Sequence, residues 1–228
     1  MNVVIFGATG MVGQGVLREC LLDSRVAKVL AIGRTPTGQQ HGKLHELVHQ
    51  DLFDYAGHDD ALSGYDACFF CLGVSSAGMS ESEYTRLTYD LTLAAARSLV
   101  RLNAAMVFVY VSGSGTDSTE QDRSMWARVK GRTENALLTL PFKGTYLFRP
   151  GAIQPLHGIR SKTPLYQTMY TVAAPIFGVL RALFPNSIST TEQIGKAMIA
   201  VADRGYPKPV LEPSDIEAAA NGKTRPNR

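Results

Sequence analysis

Residues 2–13 have the sequence Asn-Val-Val-Ile-Phe-Gly-Ala-Thr-Gly-Met-Val-Gly. The apolar run Asn2–Phe6 favours a β-strand, and the glycines after it recur at every third position, at Gly7, Gly10 and Gly13. Glycine allows tight turns and leaves no Cβ between the backbone and a ligand. A helix that begins directly after such a turn presents unpaired N–H groups to an anion. A glycine triplet also occurs in ordinary turns, but its position after a strand favours the first βα turn of a dinucleotide-binding fold.

The composition is typical of a globular protein. The chain has 228 residues, of which 45% are hydrophobic and 19% are charged, and its net charge is +3. This length predicts a single domain over residues 1–228. Because the net charge is slight and no block of basic residues occurs, we expect no nucleic-acid partner.

We expect neither a targeting segment nor a membrane span. No signal peptide precedes the first strand, which favours a cytoplasmic location. The longest apolar stretch, Thr171–Phe184, contains Pro175 and Arg181 and is too short to cross a bilayer. Three cysteines are typical of a reducing compartment. Cys68 and Cys71 match C-x-x-C, but in a buried strand residues three apart point to opposite faces, so we expect no shared metal ion or disulfide.

Apolar runs that favour strands alternate with amphipathic runs that favour helices. The strand-like runs are residues 2–6, 28–32, 44–49, 66–72, 106–111, 144–148 and a short last one at 209–211. The helix-like runs are residues 14–23, 80–103, 124–140 and 190–203. Strands that are apolar nearly throughout are typical of a parallel sheet covered by helices on both faces. We therefore predict an α/β fold with a doubly wound, mostly parallel sheet.

The pattern changes after residue 150, where prolines become frequent. In open α/β sheets, ligands bind beyond the carboxyl ends of the strands, where such connections lie. We therefore predict a small C-terminal extension on the substrate side, formed by residues 151–190 and 205–219. Residues 220–228 are polar and are expected to form a loose tail.

Arg34 follows the second predicted strand, at the place where dinucleotide-binding folds select their cofactor. An acidic residue there would bind the ribose 2′-hydroxyl of NAD. A guanidinium suits a 2′-phosphate, which a carboxylate would repel. The sequence therefore favours NADP(H) over NAD(H), although a solvated arginine in a turn would look the same.

Lys130 lies on the helix that follows the fifth predicted strand. It is one helical turn from Trp126, and the loop after that strand carries Ser112 and Ser114. A lysine on this face is placed to hold ribose hydroxyls of a cofactor. An exposed helical lysine is also common where no ligand binds.

Together these motifs resemble the short-chain dehydrogenase/reductase superfamily. The resemblance is closest to its atypical, epimerase-like branch, which includes Tat-interacting-protein-like NADPH-binding proteins, and it covers about residues 1–205. The motifs that carry it, in chain order, are Gly7–Gly13, Gly33–Arg34, Asp51–Leu52, Val111–Ser114, Lys130 and Arg149–Gly151. The resemblance implies an NAD(P)-binding Rossmann fold.

The resemblance also implies a role for individual residues. Gly7, Gly10 and Gly13, with Thr9, Met11 and Val12 between them, would hold the cofactor pyrophosphate, and Arg34 the 2′-phosphate. Asp51 and Leu52 would lie at the adenine, Leu72 and Gly73 along the adenosine ribose, Lys130 at the nicotinamide ribose, and Pro150 to Ile153 against the nicotinamide.

The family's active site needs a serine or threonine after strand five and a tyrosine four residues before the lysine. Ser112 or Ser114 can fill the first role, but Trp126 stands in the tyrosine position. An indole has no group that titrates near neutrality, so Trp126 cannot exchange a proton with a substrate. The candidates for a substitute are Tyr84, Tyr89, Tyr166, Tyr170 and His157.

Two functions remain open from the sequence. The first is an NADP-dependent oxidoreductase or epimerase-like enzyme that acts on an unknown small substrate, with Tyr166–Leu183 as an apolar lid. A quinone-like substrate, whose reduction needs no strong protein acid, would suit this site. The second is a catalytically inactive NADPH-binding sensor or scaffold. The helices at 80–103 and 124–140 are ones that this family uses to dimerise, so a homodimer is also considered.

Overall fold

A parallel seven-stranded sheet forms the centre of the computed structural model, which describes residues 1–159 and 188–223. Its strands are β1 (Asn2–Phe6), β2 (Lys28–Gly33), β3 (Leu44–Val48), β4 (Ala67–Phe70), β5 (Val107–Val111), β6 (Gly144–Phe148) and β9 (Val210–Leu211). Two shorter strands, β7 (Ala152–Gln154) and β8 (Ile188–Thr190), pair in parallel as a second sheet. The fold class predicted from the sequence is therefore confirmed.

The strand order places a crevice at the carboxyl ends of β1 and β4. The order is β3-β2-β1-β4-β5-β6-β9, so the chain extends the sheet in one direction as far as β3 and then returns to β4 on the other side of β1. Phe6 pairs with Phe70 at the carboxyl ends of these two strands. In open α/β sheets the connections diverge at such a point and leave a crevice that takes the ligand.

Helices cover both faces of this sheet. They are α1 (Met11–Leu22), α2 (Asp59–Leu62), α3 (Glu81–Thr85), α4 (Leu91–Leu102), α5 (Met125–Leu138), α6 (Thr191–Arg204) and α7 (Pro213–Ala220). Val3, Ile5 and Phe69 pack on the face covered by α1 and α6. Val4, Phe6 and the other side chains of the second cluster pack on the face covered by α4 and α5. Cys68 and Cys71 lie on opposite faces, as predicted, and neither forms a disulfide.

Most of the sequence-based boundaries agree with the structure, but several elements differ. Helix α1 begins at Met11, with Gly10 as its N-cap, and not at Gln14. The long helix predicted over 80–103 begins with the expected Ser80 capping box, but one π-helical turn at Arg86–Asp90 divides it. Helices α2 and α7 and the short strands β7 and β8 were not predicted.

Glycines allow α1 and α6 to pack closely. A Cβ at Gly15 would lie 2.6 Å from Thr191 Cβ, and one at Gly195 would lie 2.7 Å from Glu19 Cγ. Helix α6 is therefore held closely against α1, the helix of the first βα unit. Within residues 1–159 and 188–223, no helix is both long and apolar enough to cross a membrane.

Candidate functional site

A cleft of about 790 Å³ opens at the carboxyl ends of the central strands. It is lined by the glycine loop after β1, by the residues that follow β2, β4 and β5, and by the N-terminus of α1. This is the position that the strand order predicts for a dinucleotide.

The backbone of the glycine loop packs so closely that side chains at Gly7 and Gly13 would clash with backbone atoms. Gly7 has a φ of +77°, and a Cβ on it would lie 2.7 Å from the backbone nitrogen of Leu72. A Cβ on Gly13 would lie only 2.0 Å from the carbonyl oxygen of Gly7. That oxygen also accepts a hydrogen bond from the Gly10 N–H at 2.9 Å. Gly7 and Gly10 line the cleft. Gly13 does not line it, but the lack of a side chain at Gly13 allows α1 to approach the loop closely.

The N-terminus of α1 is open to an anion. Its N-cap Gly10 contributes no side-chain cap, and its first turn carries no acidic residue. Thr9, Met11 and Val12 line the cleft beside it. Uncapped N–H groups and the positive end of the helix dipole fit a pyrophosphate, so the residues present suit a dinucleotide cofactor.

Arg34 lies at the far end of the cleft, after β2. Its carbonyl oxygen accepts a hydrogen bond from Gln50 Nε2 at 2.9 Å. Glu46 lines the same end, but its carboxylate accepts a hydrogen bond from the Thr37 N–H at 2.6 Å. Within the described part of the chain no carboxylate forms an ion pair with the exposed Arg34 guanidinium, so it can receive a phosphate.

The predicted adenine and ribose residues divide into those that line the cleft and those that do not. Leu52, Leu72 and Gly73 line it. Asp51 is exposed beside it and accepts a hydrogen bond from the Phe53 N–H at 3.0 Å. Several lining residues were not predicted from the sequence, namely Thr35, Pro36, Thr37, Gln50, Val74 and Ser75. The one sequence feature that could have indicated them is their position shortly after predicted strands.

Lys130 and Ser112 meet at the β5 end of the cleft. Both line it, and the Lys130 ammonium donates a hydrogen bond to the carbonyl oxygen of Ser112 at 3.2 Å. The same ammonium lies over the ring of Tyr110, 5.4 Å from its centroid. Burial lowers the pKa of Lys130 to about 8, against the opposing effect of the Glu134 carboxylate.

The structure separates the two candidate serines. Ser112 is buried, lines the cleft and shares a hydrogen bond with Thr116 Oγ1 at 2.9 Å. Ser114 is exposed and its N–H donates to the carbonyl oxygen of Pro150 at 2.9 Å. Of the two, Ser112 is the one placed to meet a ligand in the cleft.

Trp126 does not line the cleft. A Cβ on Gly115, which has a φ of +87°, would lie 3.3 Å from the Trp126 indole. The indole therefore packs on the loop that follows β5, one helical turn away from Lys130. Pro150 is buried behind that loop, and Ile153 lines the cleft.

The substitute tyrosines divide by location. Tyr84 is 2% exposed, and the ring of Tyr89 lies 4.4 Å from the Arg132 guanidinium. Neither lines the cleft, whose described lining contains no tyrosine. Tyr166, Tyr170 and the proposed lid at Tyr166–Leu183 lie outside the described residues.

A buried ion pair supports the β5 end of the cleft from behind. Arg149 Nε donates to both carboxylate oxygens of Glu134, at 3.1 and 3.2 Å, and Glu134 is 1% exposed. Arg149 Nη2 also donates to Ser118 Oγ at 2.6 Å, and Nη1 lies 3.5 Å from Glu212. The pair thus joins β6, α5 and the loop after β5.

Three potential metal ligands meet away from the cleft. Ligand atoms of Glu19, His157 and Glu192 lie within 4.8 Å of one another. Arg18 pairs with Glu19, Lys196 pairs with Glu192 at 2.5 Å, and His157 Nε2 lies 2.7 Å from the other Glu192 oxygen. Because both carboxylates already have cationic partners, the cluster is accounted for as an ion-pair network.

Comparisons with known proteins agree with this geometry. Residues 3–125, more than half of the chain, match the NAD dependent epimerase/dehydratase family. The protein called fmp52, mitochondrial, of Emericella nidulans is 31% identical over 159 residues, which are 67% of this chain and 66% of that protein. Protein HTATIP2 of Rattus norvegicus is 28% identical over 155 residues, or 67% of this chain and 62% of that protein. The chain thus spans just under two thirds of these relatives.

A solved structure shows the same fold. The Bordetella bronchiseptica enzyme WbmF, in complex with NAD+, superposes with a TM-score of 0.64 at 16% identity. The superposition covers 100% of this chain and 82% of that one.

These comparisons correct the predicted location. The sequence analysis predicted a cytoplasmic protein, whereas the fungal relatives are named as mitochondrial proteins. The expectation had rested on the lack of a recognisable signal at the start of the chain. The lack of a recognisable targeting signal is weak evidence for a cytoplasmic location.

The family match covers the first βα unit, the strands up to β5 and every described residue that lines the cleft except Lys130 and Ile153. It supports the binding of a nicotinamide cofactor in this cleft. The chain belongs to the NAD dependent epimerase/dehydratase family.

Proposed function

We propose that this protein is an NADP(H)-dependent oxidoreductase that acts on a small apolar or quinone-like substrate. The observation that carries the cofactor choice is Arg34, which lies at the β2 end of the cleft with no ion-pair partner among the described residues. A guanidinium there favours a 2′-phosphate through charge-assisted, bidentate hydrogen bonds.

The substrate class follows from what the cleft lacks. Trp126 lies outside the cleft lining, and among residues 1–159 and 188–223 no tyrosine lines the cleft to give a proton to a substrate oxygen. A bound reduced nicotinamide would supply a hydride, and the chain would contribute mainly position and electrostatics. An electron-poor acceptor such as a quinone needs the least help from a protein acid.

Replacing Arg34 with aspartate tests the cofactor choice. We expect NADPH to bind about 30-fold more weakly, because charge-assisted hydrogen bonds contribute about 1.5–3 kcal/mol and the new carboxylate repels the phosphate. We expect NADH affinity to change less than about threefold, because NADH has no 2′-phosphate and therefore makes no such contact with Arg34. Titration of the change in cofactor fluorescence on binding measures both constants.

The matched control is Arg97→Asp, which makes the same charge change at an exposed position on α4 outside the cleft. It should leave both affinities unchanged. Equal losses of NADPH and NADH affinity in the Arg34 variant would contradict the assignment of the 2′-phosphate to Arg34.

The second candidate function is an NADPH-binding sensor or scaffold. It is favoured by one observation, the replacement of the family's tyrosine by Trp126. A sensor should show no NADPH oxidation with quinones, aldehydes or sugar nucleotides, and its association state by light scattering should change when NADPH is added. An enzyme should oxidise NADPH with at least one of these acceptors. A homodimer through α3, α4 and α5 is part of this second proposal.

A further inference from the structure

Lys130 is the titratable group at the β5 end of the cleft. The described lining contains four side chains with titratable groups, namely Arg34, Glu46, Cys71 and Lys130. Arg34 and Glu46 lie at the opposite end, after β2 and on β3. Cys71 lies at the glycine loop, where a Cβ on Gly7 would be 2.9 Å from its carbonyl carbon. Burial raises the pKa of the Cys71 thiol, which makes it a poor proton donor.

The positive charge of Lys130 has no direct counter-ion among the described residues. Its ammonium donates to the Ser112 carbonyl oxygen and faces the Tyr110 ring, which are both uncharged partners. The nearest acid, Glu134, is one helical turn further along α5, and Arg149 occupies its two oxygens. Burial without a paired charge destabilises the ammonium relative to the amine. This environment lowers the pKa of Lys130 to about 8.

Ser112 is not arranged to give up its proton. Thr116 Oγ1 donates its one hydrogen to the Gly113 carbonyl oxygen at 2.8 Å. In the 2.9 Å contact between the two hydroxyls, Ser112 must therefore be the donor. The Ser112 hydrogen is thus directed to Thr116, which does not line the cleft, and the lone pairs of Ser112 Oγ can only accept hydrogen bonds. The Lys130 ammonium has three N–H groups. Two are directed to the Ser112 carbonyl oxygen and the Tyr110 ring, so one N–H remains to donate to a ligand.

We propose that Lys130 is itself the proton donor in the reduction assigned to this cleft, in place of the missing tyrosine. This inference rests on the proposed function. As the substrate accepts a hydride, and with it two electrons, an Nζ–H bond of the ammonium breaks and an O–H bond forms on the substrate oxygen. The neutral amine then recovers a proton from water. A donor whose pKa lies near the working pH suits both halves of this cycle.

A first measurement detects the titration without any turnover. The full chain is acetylated with a trace of acetic anhydride between pH 6.5 and 10.5, with a model peptide as internal reference, and each lysine is quantified by mass spectrometry. We expect Lys130 to become reactive with a midpoint near 8. A midpoint near the model-peptide value of about 10.4 would overturn the proposal. Addition of NADPH should protect Lys130 from acetylation.

A second measurement follows NADPH oxidation with 9,10-phenanthrenequinone as the probe. In the wild-type protein kcat should fall as pH rises through about 8, because the ammonium form is the donor. Lys130→Arg keeps the charge but cannot release its proton, since the pKa of arginine exceeds about 12. We expect that variant to bind NADPH within a few-fold of wild type, to lose about 100-fold in kcat and to lose the alkaline limb.

The matched control is Lys143→Arg, at an exposed position between α5 and β6, which should leave the rate and its pH profile unchanged. A Lys130→Arg variant that reduces the quinone at the wild-type rate and pH profile would overturn the role of Lys130 and leave the oxidoreductase function standing. A wild-type protein that oxidises no NADPH would instead overturn the proposed function, and this inference with it.

Discussion

Replacing Gly13 with alanine is expected to weaken cofactor binding by roughly 1,000-fold. A Cβ at this position would lie 2.0 Å from the Gly7 carbonyl oxygen and 2.7 Å from its carbon, and both are backbone atoms that cannot rotate away. Helix α1 must therefore move away from the loop. Displacing the loop and the helix N-terminus together removes at least two charge-assisted hydrogen bonds to the pyrophosphate, each contributing about 1.5–3 kcal/mol. Calorimetric titration with NADPH measures the loss.

The control for this change is Gly42→Ala. Gly42 precedes β3, and a Cβ on it would meet no atom within 4 Å. It should bind NADPH as the wild type does. The Gly13 variant should also unfold at a lower temperature, since overpacking of this kind costs about 1–3 kcal/mol. Wild-type affinity in a folded Gly13→Ala protein would contradict the role assigned to the α1 N-terminus.

Replacing Arg149 with methionine is expected to lower the free energy of unfolding by about 3–5 kcal/mol. The change leaves Glu134, which is 1% exposed, as a buried carboxylate without its partner. It also breaks the hydrogen bond that holds Ser118, so the loop after β5 loses one of its links to the end of β6. Urea unfolding at neutral pH, followed by circular dichroism, measures the difference.

A double variant distinguishes the effect of the unpaired Glu134 charge from the effect of altered packing around Arg149. Arg149→Met combined with Glu134→Leu removes both charges, and apolar replacement of a whole buried pair is often neutral. We expect most of the lost stability to return in the double variant. If the single and double variants are equally unstable, the effect comes from packing around Arg149 and not from an uncompensated charge.

Much of the fold could be predicted because the central strands β1, β2, β4 and β5 are buried on both faces. Such strands are continuous apolar runs, and β1 was predicted with the same bounds that the structure gives it. Helix ends were predicted well where a side chain caps them, as at Ser80 and Thr190. The start of α1 was missed because its cap is a glycine, which provides no side-chain signal. The π-helical turn at Arg86–Asp90 packs against α5, and it was missed because local periodicity does not distinguish it from an α-helical turn.

The site was predicted less completely than the fold. Loop positions after strands were recognisable, but the direction of each side chain is set by tertiary packing. The sequence therefore left Ser112 and Ser114 open, whereas their burial distinguishes them. Gly13 was assigned to the pyrophosphate, yet it lies behind the cleft as a point of close approach. The ion pair of Arg149 with Glu134 joins positions on β6 and α5, and no spacing rule links them.

A crystal structure of the NADP+ complex would show whether this cleft holds the cofactor as proposed. We predict the pyrophosphate at Gly10 and the first turn of α1, the 2′-phosphate within hydrogen-bonding distance of the Arg34 guanidinium, and the nicotinamide ribose beside Lys130. The nicotinamide should face an open space that Trp126 does not fill. A 2′-phosphate held away from Arg34, or an indole of Trp126 in the nicotinamide position, would contradict the account.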